Sequence, residues 1–218
     1  MRQLIFFICQ KEKENAFDYL TLHFKNSLIG FVEDKFYFLS RSYYNYEERE
    51  QIEIKYSILE FNENLEKKIC QILNSSYEKA KKISDEPISD LNETIFSEIS
   101  TTINKYCYQE CESIFYFVAE LFYKYLMGHK LVNGNKRMAL MFLIYLLRFF
   151  GYHMPWSYGN RKNYGFYEKK LIEWVEKFQK NKNNCKIEIH NNVQIITNWI
   201  KEKVVIAIEW RSEKEILW

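Results

Sequence analysis

Ten consecutive apolar residues, Met138 to Leu147, follow the basic pair Lys136-Arg137 and are closed off by Arg148. The run is far short of the roughly 20 residues that cross a bilayer. It predicts a helix over Met138 to Phe150 that is apolar all round and stopped by Gly151. A helix with no polar face cannot border water on any side, so other elements must surround it, and it belongs at the centre of a helical core.

The surrounding segments have the periodicity this demands. Leu65, Ile69, Ile72, Leu73 and Ala80 recur at three- and four-residue steps with Lys and Glu between them, an amphipathic helix starting near Asn64. Asp85-Glu86-Pro87 ends it, because the residue before a proline is pushed out of the α region. Ser89 or Asp90 is placed to cap a second helix carrying Leu91, Ile95, Ile99 and Ile103. A third starts near Ser113 and runs to Met127, with Glu120 and Lys124 marking a narrow solvated stripe and Gly128 as C-cap. Phe166, Lys170, Trp174, Lys177 and Phe178 fit one more amphipathic helix.

The two ends read differently. Leu4 to Ile8 and Lys35 to Leu39 have strand composition, with a short helix expected near Asn15 to His23, and Tyr43, Tyr44 and Tyr46 read as half-exposed strand aromatics. Beyond a Lys- and Asn-rich loop at Lys180 to Asn184, Ile187 to Ile189 and Val204 to Trp210 have strand character, with Val193 to Lys201 helical between them. The expected organisation is a small α+β section over 1–62, a helical core over 63–180 and a mixed extension over 181–218. The fold class is mainly α, a bundle around a buried central helix, with small β elements at the N- and C-terminal ends.

Composition excludes several classes of protein. At 47% hydrophobic and 28% charged, with Gly 6 and Pro 2, the chain is unlike a disordered one. A net charge of +2, from 31 basic and 29 acidic residues, gives no footprint for nucleic acid or a membrane surface, and neither is expected as a partner. The apolar stretch Leu4 to Cys9 is too short for the core of a signal peptide. Five scattered cysteines, Cys9, Cys70, Cys107, Cys111 and Cys185, fit a reducing cytoplasm without a disulfide. Cys107 and Cys111 share a spacing of four but lack the further ligands zinc needs, and they read as core. His23, His153 and His190 carry no partner pattern, and Trp174, Trp199 and Trp210 read as core or core edge.

Chemistry concentrates in the segment joining the two most apolar helices, H-K-L-V-N-G-N-K-R from His129 to Arg137. A histidine with an unperturbed pKa near 6.5 can take a proton from a hydroxyl at neutral pH. Asn133-Gly134-Asn135-Lys136-Arg137 leads into a helix start, whose unpaired N–H groups and partial positive charge suit an anion, and a glycine lets the backbone approach a ligand closely. Lys136 and Arg137 add a mobile point charge and a planar fork for phosphate oxygens. A base beside an anion hole suits attack by a hydroxyl on a phosphorus atom.

The string resembles the active-site motif of the Fic/Doc family, H-x-F-x-(D/E)-(G/A)-N-(G/K)-R, and the likeness covers roughly residues 85 to 155. It implies a Fic-like helical bundle that uses ATP and Mg²⁺. His129 falls at the family's catalytic base, and Gly134, Asn135, Lys136 and Arg137 at its nucleotide-phosphate site. Lys136 stands where Fic members have Gly and the Doc branch has Lys, and Leu140 replaces a second arginine, as in that branch. The resemblance therefore leans towards transfer of the terminal phosphoryl group to a Ser, Thr or Tyr hydroxyl of a target protein, in the Doc branch a toxin acting on the translation machinery. Fic-type AMP transfer is the alternative. Leu131 takes the place of the motif's Phe. Asn133 takes the place of the acidic magnesium ligand, and an amide oxygen is a neutral and weaker donor for that hard ion; a catalytically silent Fic-fold binding module is the reading that this departure favours. The family's inhibitory signature, (S/T)-x-x-x-E-(G/N), has no match, so restraint is expected from a separate antitoxin chain.

Overall fold

The central helix forms as its sequence requires and begins three residues earlier, at Asn135. The computed structural model of the protein describes residues 2–15, 29–32, 35–41, 49–82, 88, 90–91, 93–128, 131–154, 161–180 and 186–206. Among them six α-helices carry most of the described chain: α1 (Glu63–Lys82), α2 (Ser97–Tyr108), α3 (Ile114–Met127), α4 (Asn135–Phe149), α5 (Arg161–Lys180) and α6 (Lys186–Lys203). Strands lie at both ends, β1 (Arg2–Ile8), β2 (Ile29–Val32), β3 (Lys35–Arg41), β4 (Arg49–Ile58), β5 (Tyr152–His153) and β6 (Val205–Ile206). The protein is mainly α with small β elements.

Helix α4 lies against α1 on one side and α3 on another, and α3 in turn packs on α6. Its residues Met138 to Leu143, Leu146 and Leu147 are all buried, as are Phe115, Phe117, Val118, Leu121, Phe122 and Tyr125 of α3. Burying a large apolar side chain stabilises by about 1.5–3 kcal/mol, so this seam is where the fold gains most. Tyr125 also gives its hydroxyl to the carbonyl of Ile95, 2.5 Å away, fixing the short 3₁₀ turn at Glu93–Phe96 that precedes α2. On α5 and α6, Trp174 and Trp199 meet edge to face with centroids 5.0 Å apart, both buried.

Helix ends follow local chemistry. The Asn62 side chain accepts from the Leu65 N–H at 3.0 Å to start α1, whose first turn carries Glu63 and Glu66 and whose last carries Lys79, Lys81 and Lys82. These charges complement the helix dipole at each end. Ser113 caps α3 by accepting from the Tyr116 N–H. A side chain from far away in sequence joins it there: Glu12 accepts from the N–H groups of Ile114 and of Cys9, at 3.0 and 2.8 Å.

Three readings change. Ile187 to Ile189 is not a strand but the opening of α6, because the apolar residues that bury, Val193, Ile196 and Ile200, continue at helical spacing. Glu120 and Lys124 do not mark a solvated stripe. Glu120 is 8% exposed, bound by Lys105 at 2.8 Å and by the Tyr106 hydroxyl at 2.6 Å, and Lys124 reaches Thr102 at 2.8 Å. Helix α2 covers that face of α3, and the charges are paired across the seam rather than dissolved. Burial and the Glu120 charge together hold the Tyr106 phenol above its ordinary range. Cys107 is exposed rather than core, whereas Cys111 is buried.

At the N-terminal end the strands form one sheet in the order β1-β4-β3-β2, with β1 parallel to β4 and the other pairs antiparallel. Most of the helix expected near Asn15 to His23, and Tyr43, Tyr44 and Tyr46, lie outside the described residues, as do Asp85 to Pro87, Ser89, the Asn181 to Cys185 stretch, His23 and Trp210. Strand β1 is fastened to the helices by the Phe7 N–H donating to the Phe150 carbonyl at 3.0 Å and by the Tyr152 hydroxyl donating to the Phe7 carbonyl at 3.0 Å. The antiparallel pair β5–β6 closes the other end.

Burial raises the Glu12 pKa above the ordinary carboxylate value, outweighing its two backbone donors and the Lys201 charge. A carboxylate raised in the folded state binds its proton more tightly there than in the unfolded chain, so its contribution is full at low pH and is lost as pH climbs through the folded pKa. Glu12→Gln, which keeps an acceptor for both N–H groups, is expected to gain on the natural chain as pH rises from about 4 to 7. Urea midpoints measured across that range would show it; parallel curves for the two proteins would contradict it.

Candidate active site

The loop that holds the motif connects α3 to α4. Helix α3 ends with the Gly128 N–H on the Lys124 carbonyl at 2.8 Å. His129 and Lys130 lie outside the described residues. From Leu131 the loop is held by two devices. Leu131 is 4% exposed and belongs to the hydrophobic core. The Asn135 side chain then clamps it, Oδ1 accepting from the Leu131 N–H at 2.8 Å and Nδ2 donating to the Leu131 carbonyl at 2.5 Å. Asn135 thus shapes the loop with its side-chain amide.

Gly134 is the hinge between loop and helix. It sits at φ 88°, ψ 8°, the left-handed region that costs a residue with a side chain about 1–2 kcal/mol. A Cβ there would also meet Ile88 at 2.7 and 2.9 Å. Glycine is required twice over, once by backbone angle and once by the close approach of Ile88, which is far away along the chain and carries no signal in the sequence. The Met138 N–H returns to the Gly134 carbonyl at 3.0 Å and closes the first turn.

The first turn of α4 is charged in the unfavourable sense. It contains Lys136 and Arg137, both half-buried, and no acidic residue. A cation at the positive end of a helix gives up the roughly 0.3–1 kcal/mol that an anion would gain there. Helix α1 makes the stabilising choice with Glu63 and Glu66. Helix-start N–H dipoles with an ammonium and a guanidinium in the same first turn are groups that suit an anion, and phosphate matches both the charge and the fork geometry.

Asn133 and Val132 form the exposed tip, Val132 at 96%. Among the described residues no three His, Cys, Asp or Glu side chains group as a metal site would need. The described part of the loop offers Mg²⁺ amide and main-chain oxygens and no carboxylate, a donor set that does not fit an independent site for this ion. A cleft of about 310 Å³ lined by Phe7, Leu59, Leu65, Lys68 and Phe149 lies at the opposite end of α4 from the loop. No described helix is long and apolar enough to cross a membrane. Comparison with protein-family models, with curated proteins and with solved structures gives no match.

Proposed function

We propose that this chain is a Doc-like transferase that moves the terminal phosphoryl group of ATP onto a hydroxyl of a target protein. The observation that carries the reading is the turn from Gly134 into α4, where a left-handed glycine leads into a helix start whose first turn carries Lys136 and Arg137. In this reading the β- and γ-phosphates lie over that turn, and His129 removes the proton from the attacking Ser, Thr or Tyr oxygen. The new O–P bond forms as the bond to the β-phosphate oxygen breaks, and ADP leaves. Lys136 and Arg137 neutralise the charge on the phosphoryl oxygens, where fixed charges are most effective. Magnesium enters only as the counterion that accompanies the nucleotide, and no step is assigned to it.

The target class follows from the resemblance: a component of the translation machinery, with the chain acting as a toxin in the cytoplasm and a separate antitoxin chain restraining it. A second reading rests on Asn133. With an amide where the motif has a carboxylate, the same turn would bind a nucleotide and perform no transfer.

The deciding experiment is label transfer from ATP carrying the label at either the α or the γ phosphate, onto proteins of a bacterial lysate, with the natural chain and His129→Ala. A γ-labelled band that falls roughly 10²–10⁴-fold in His129→Ala is expected, the range general base catalysis supplies. An α-labelled band would make the chain an AMP transferase. Nucleotide binding without a band at either position would make it the silent module.

A further inference from the structure

Outside the loop, one pair of reactive side chains stands out, and it does not depend on the transferase reading. Cys9 follows β1 and Cys111 precedes α3; they are 102 positions apart, yet their sulfurs approach to 2.9 Å, with the Cys9 thiol donating to Cys111 Sγ. Cys111 has its own acceptor, the Ser113 carbonyl at 3.3 Å. A covalent S–S bond is about 2.05 Å long, so less than about 1 Å of movement separates the contact from a bond.

The corner is built to hold these two sulfurs together. Glu12 Oε2 grips the Cys9 N–H and the Ile114 N–H at once, tying the turn after β1 to the start of α3 on either side of the pair. Both cysteines are buried, at 1% and 5% exposure. Cys70 and Cys107 have no sulfur neighbour of this kind among the described residues.

We infer that Cys9 and Cys111 form a dithiol modification site, which a small hydroperoxide closes into an intramolecular disulfide that staples β1 to the helical core. Cys111 is the attacking sulfur, because the Cys9 S–H points at it and steadies the negative charge once its proton leaves. The bond to Cys111 and burial hold the Cys9 thiol well above the ordinary range, so Cys9 keeps its proton while Cys111 reacts. In the first step the Cys111 thiolate attacks one oxygen of hydrogen peroxide; an S–O bond forms, the O–O bond breaks, and the hydroxide released takes up the Cys111 proton as water. In the second, Cys9 sulfur attacks the Cys111 sulfenic acid; the S–S bond forms, the S–O bond breaks, and hydroxide leaves with the Cys9 proton as a second water. Two electrons pass from the pair to the peroxide. Small size is the property the oxidant needs, since the sulfurs are reached only when the corner opens slightly.

The test treats the full chain with hydrogen peroxide, unfolds it, alkylates remaining thiols and identifies tryptic peptides, with fragmentation of the peptide over 106–124 to tell Cys111 from Cys107, and a melting curve taken before and after dithiothreitol. The expected product is one cross-linked pair of peptides containing Cys9 and Cys111, lighter by two hydrogens than the separate thiols and split by dithiothreitol. The closed loop of about 100 residues should raise Tm by roughly 5–15 °C over the reduced chain, and Cys9→Ser and Cys111→Ala should each abolish that rise. Cys9 and Cys111 still alkylated after treatment, or found as sulfinic acids, or cross-linked to Cys107 or Cys185 instead, would overturn the assignment. The peptide measurement on the natural chain decides the matter even if a variant fails to fold.

Discussion

Gly151→Ala should lower the unfolding temperature by roughly 6–15 °C. Gly151 ends α4 at φ 88°, and a Cβ there would stand 2.6 Å from the Ile5 carbonyl oxygen and 2.8 Å from the Phe6 Cα. Both obstacles are backbone, so no rotamer change relieves them. The substitution costs about 1–2 kcal/mol for the left-handed conformation, and β1 must shift away from the bond between Phe7 and Phe150 to make room. A total near 3–4 kcal/mol falls at the upper end of single-site effects, and a domain of this size loses about 2–4 °C per kcal/mol. Gly134→Ala is the useful contrast. Its φ is the same, but the obstacle is a side chain, Ile88, rather than main chain, so its loss should be smaller. Calorimetry on the two variants would compare them directly; equal losses would mean that backbone angle alone decides both.

Arg137→Ala is expected to reduce phosphoryl transfer by roughly 10²–10³-fold, the effect of removing one preorganised donor from developing charge, while leaving Tm within a few degrees. Arg137 is half-buried at the first turn of α4, and the core side of that turn is held by Met138 and by Gly134. Arg137→Lys should recover only part of the rate, since an ammonium supplies charge without the bidentate fork. Single-turnover rates with γ-labelled ATP and a fixed target would measure this. A transfer rate in Arg137→Ala equal to that of the natural chain would remove Arg137 from the phosphate site and with it the main support for the proposed chemistry.

The helices were legible because periodicity is a local signal. Leu65, Ile69 and Leu73 repeat on one face, Ser113 has the side chain a cap requires, and Gly151 takes the left-handed angle expected of a helix stop. What the sequence misplaced depends on contacts between distant segments. Glu120 and Lys124 look like a solvated pair until Lys105 and Tyr106 are brought over them from α2. Ile187 to Ile189 looks like a strand because three residues cannot distinguish period two from period 3.6. Within the candidate site the glycine and the two cations stand out by type, and the helix that carries them was visible in the run that follows. The clamp of Asn135 on Leu131 and the pressure of Ile88 on Gly134 are geometric facts with no counterpart in composition. Cys9 and Cys111 show the limit most sharply, since nothing about two isolated cysteines indicates that the end of β1 and the start of α3 lie side by side.

The fastening of β1 also sets an order of events during synthesis. Strand β1 is made before both of its partners: its parallel neighbour β4 ends at Ile58, and the carbonyl that receives the Phe7 N–H belongs to Phe150. At about 5–20 residues per second, a ribosome needs on the order of ten seconds or more between Phe7 and Phe150. Throughout that interval Phe6 and Ile8, buried at the end, have no finished surface to bury against. The nascent β1 segment therefore waits, with its apolar side chains unburied, until the end of α4 has been made.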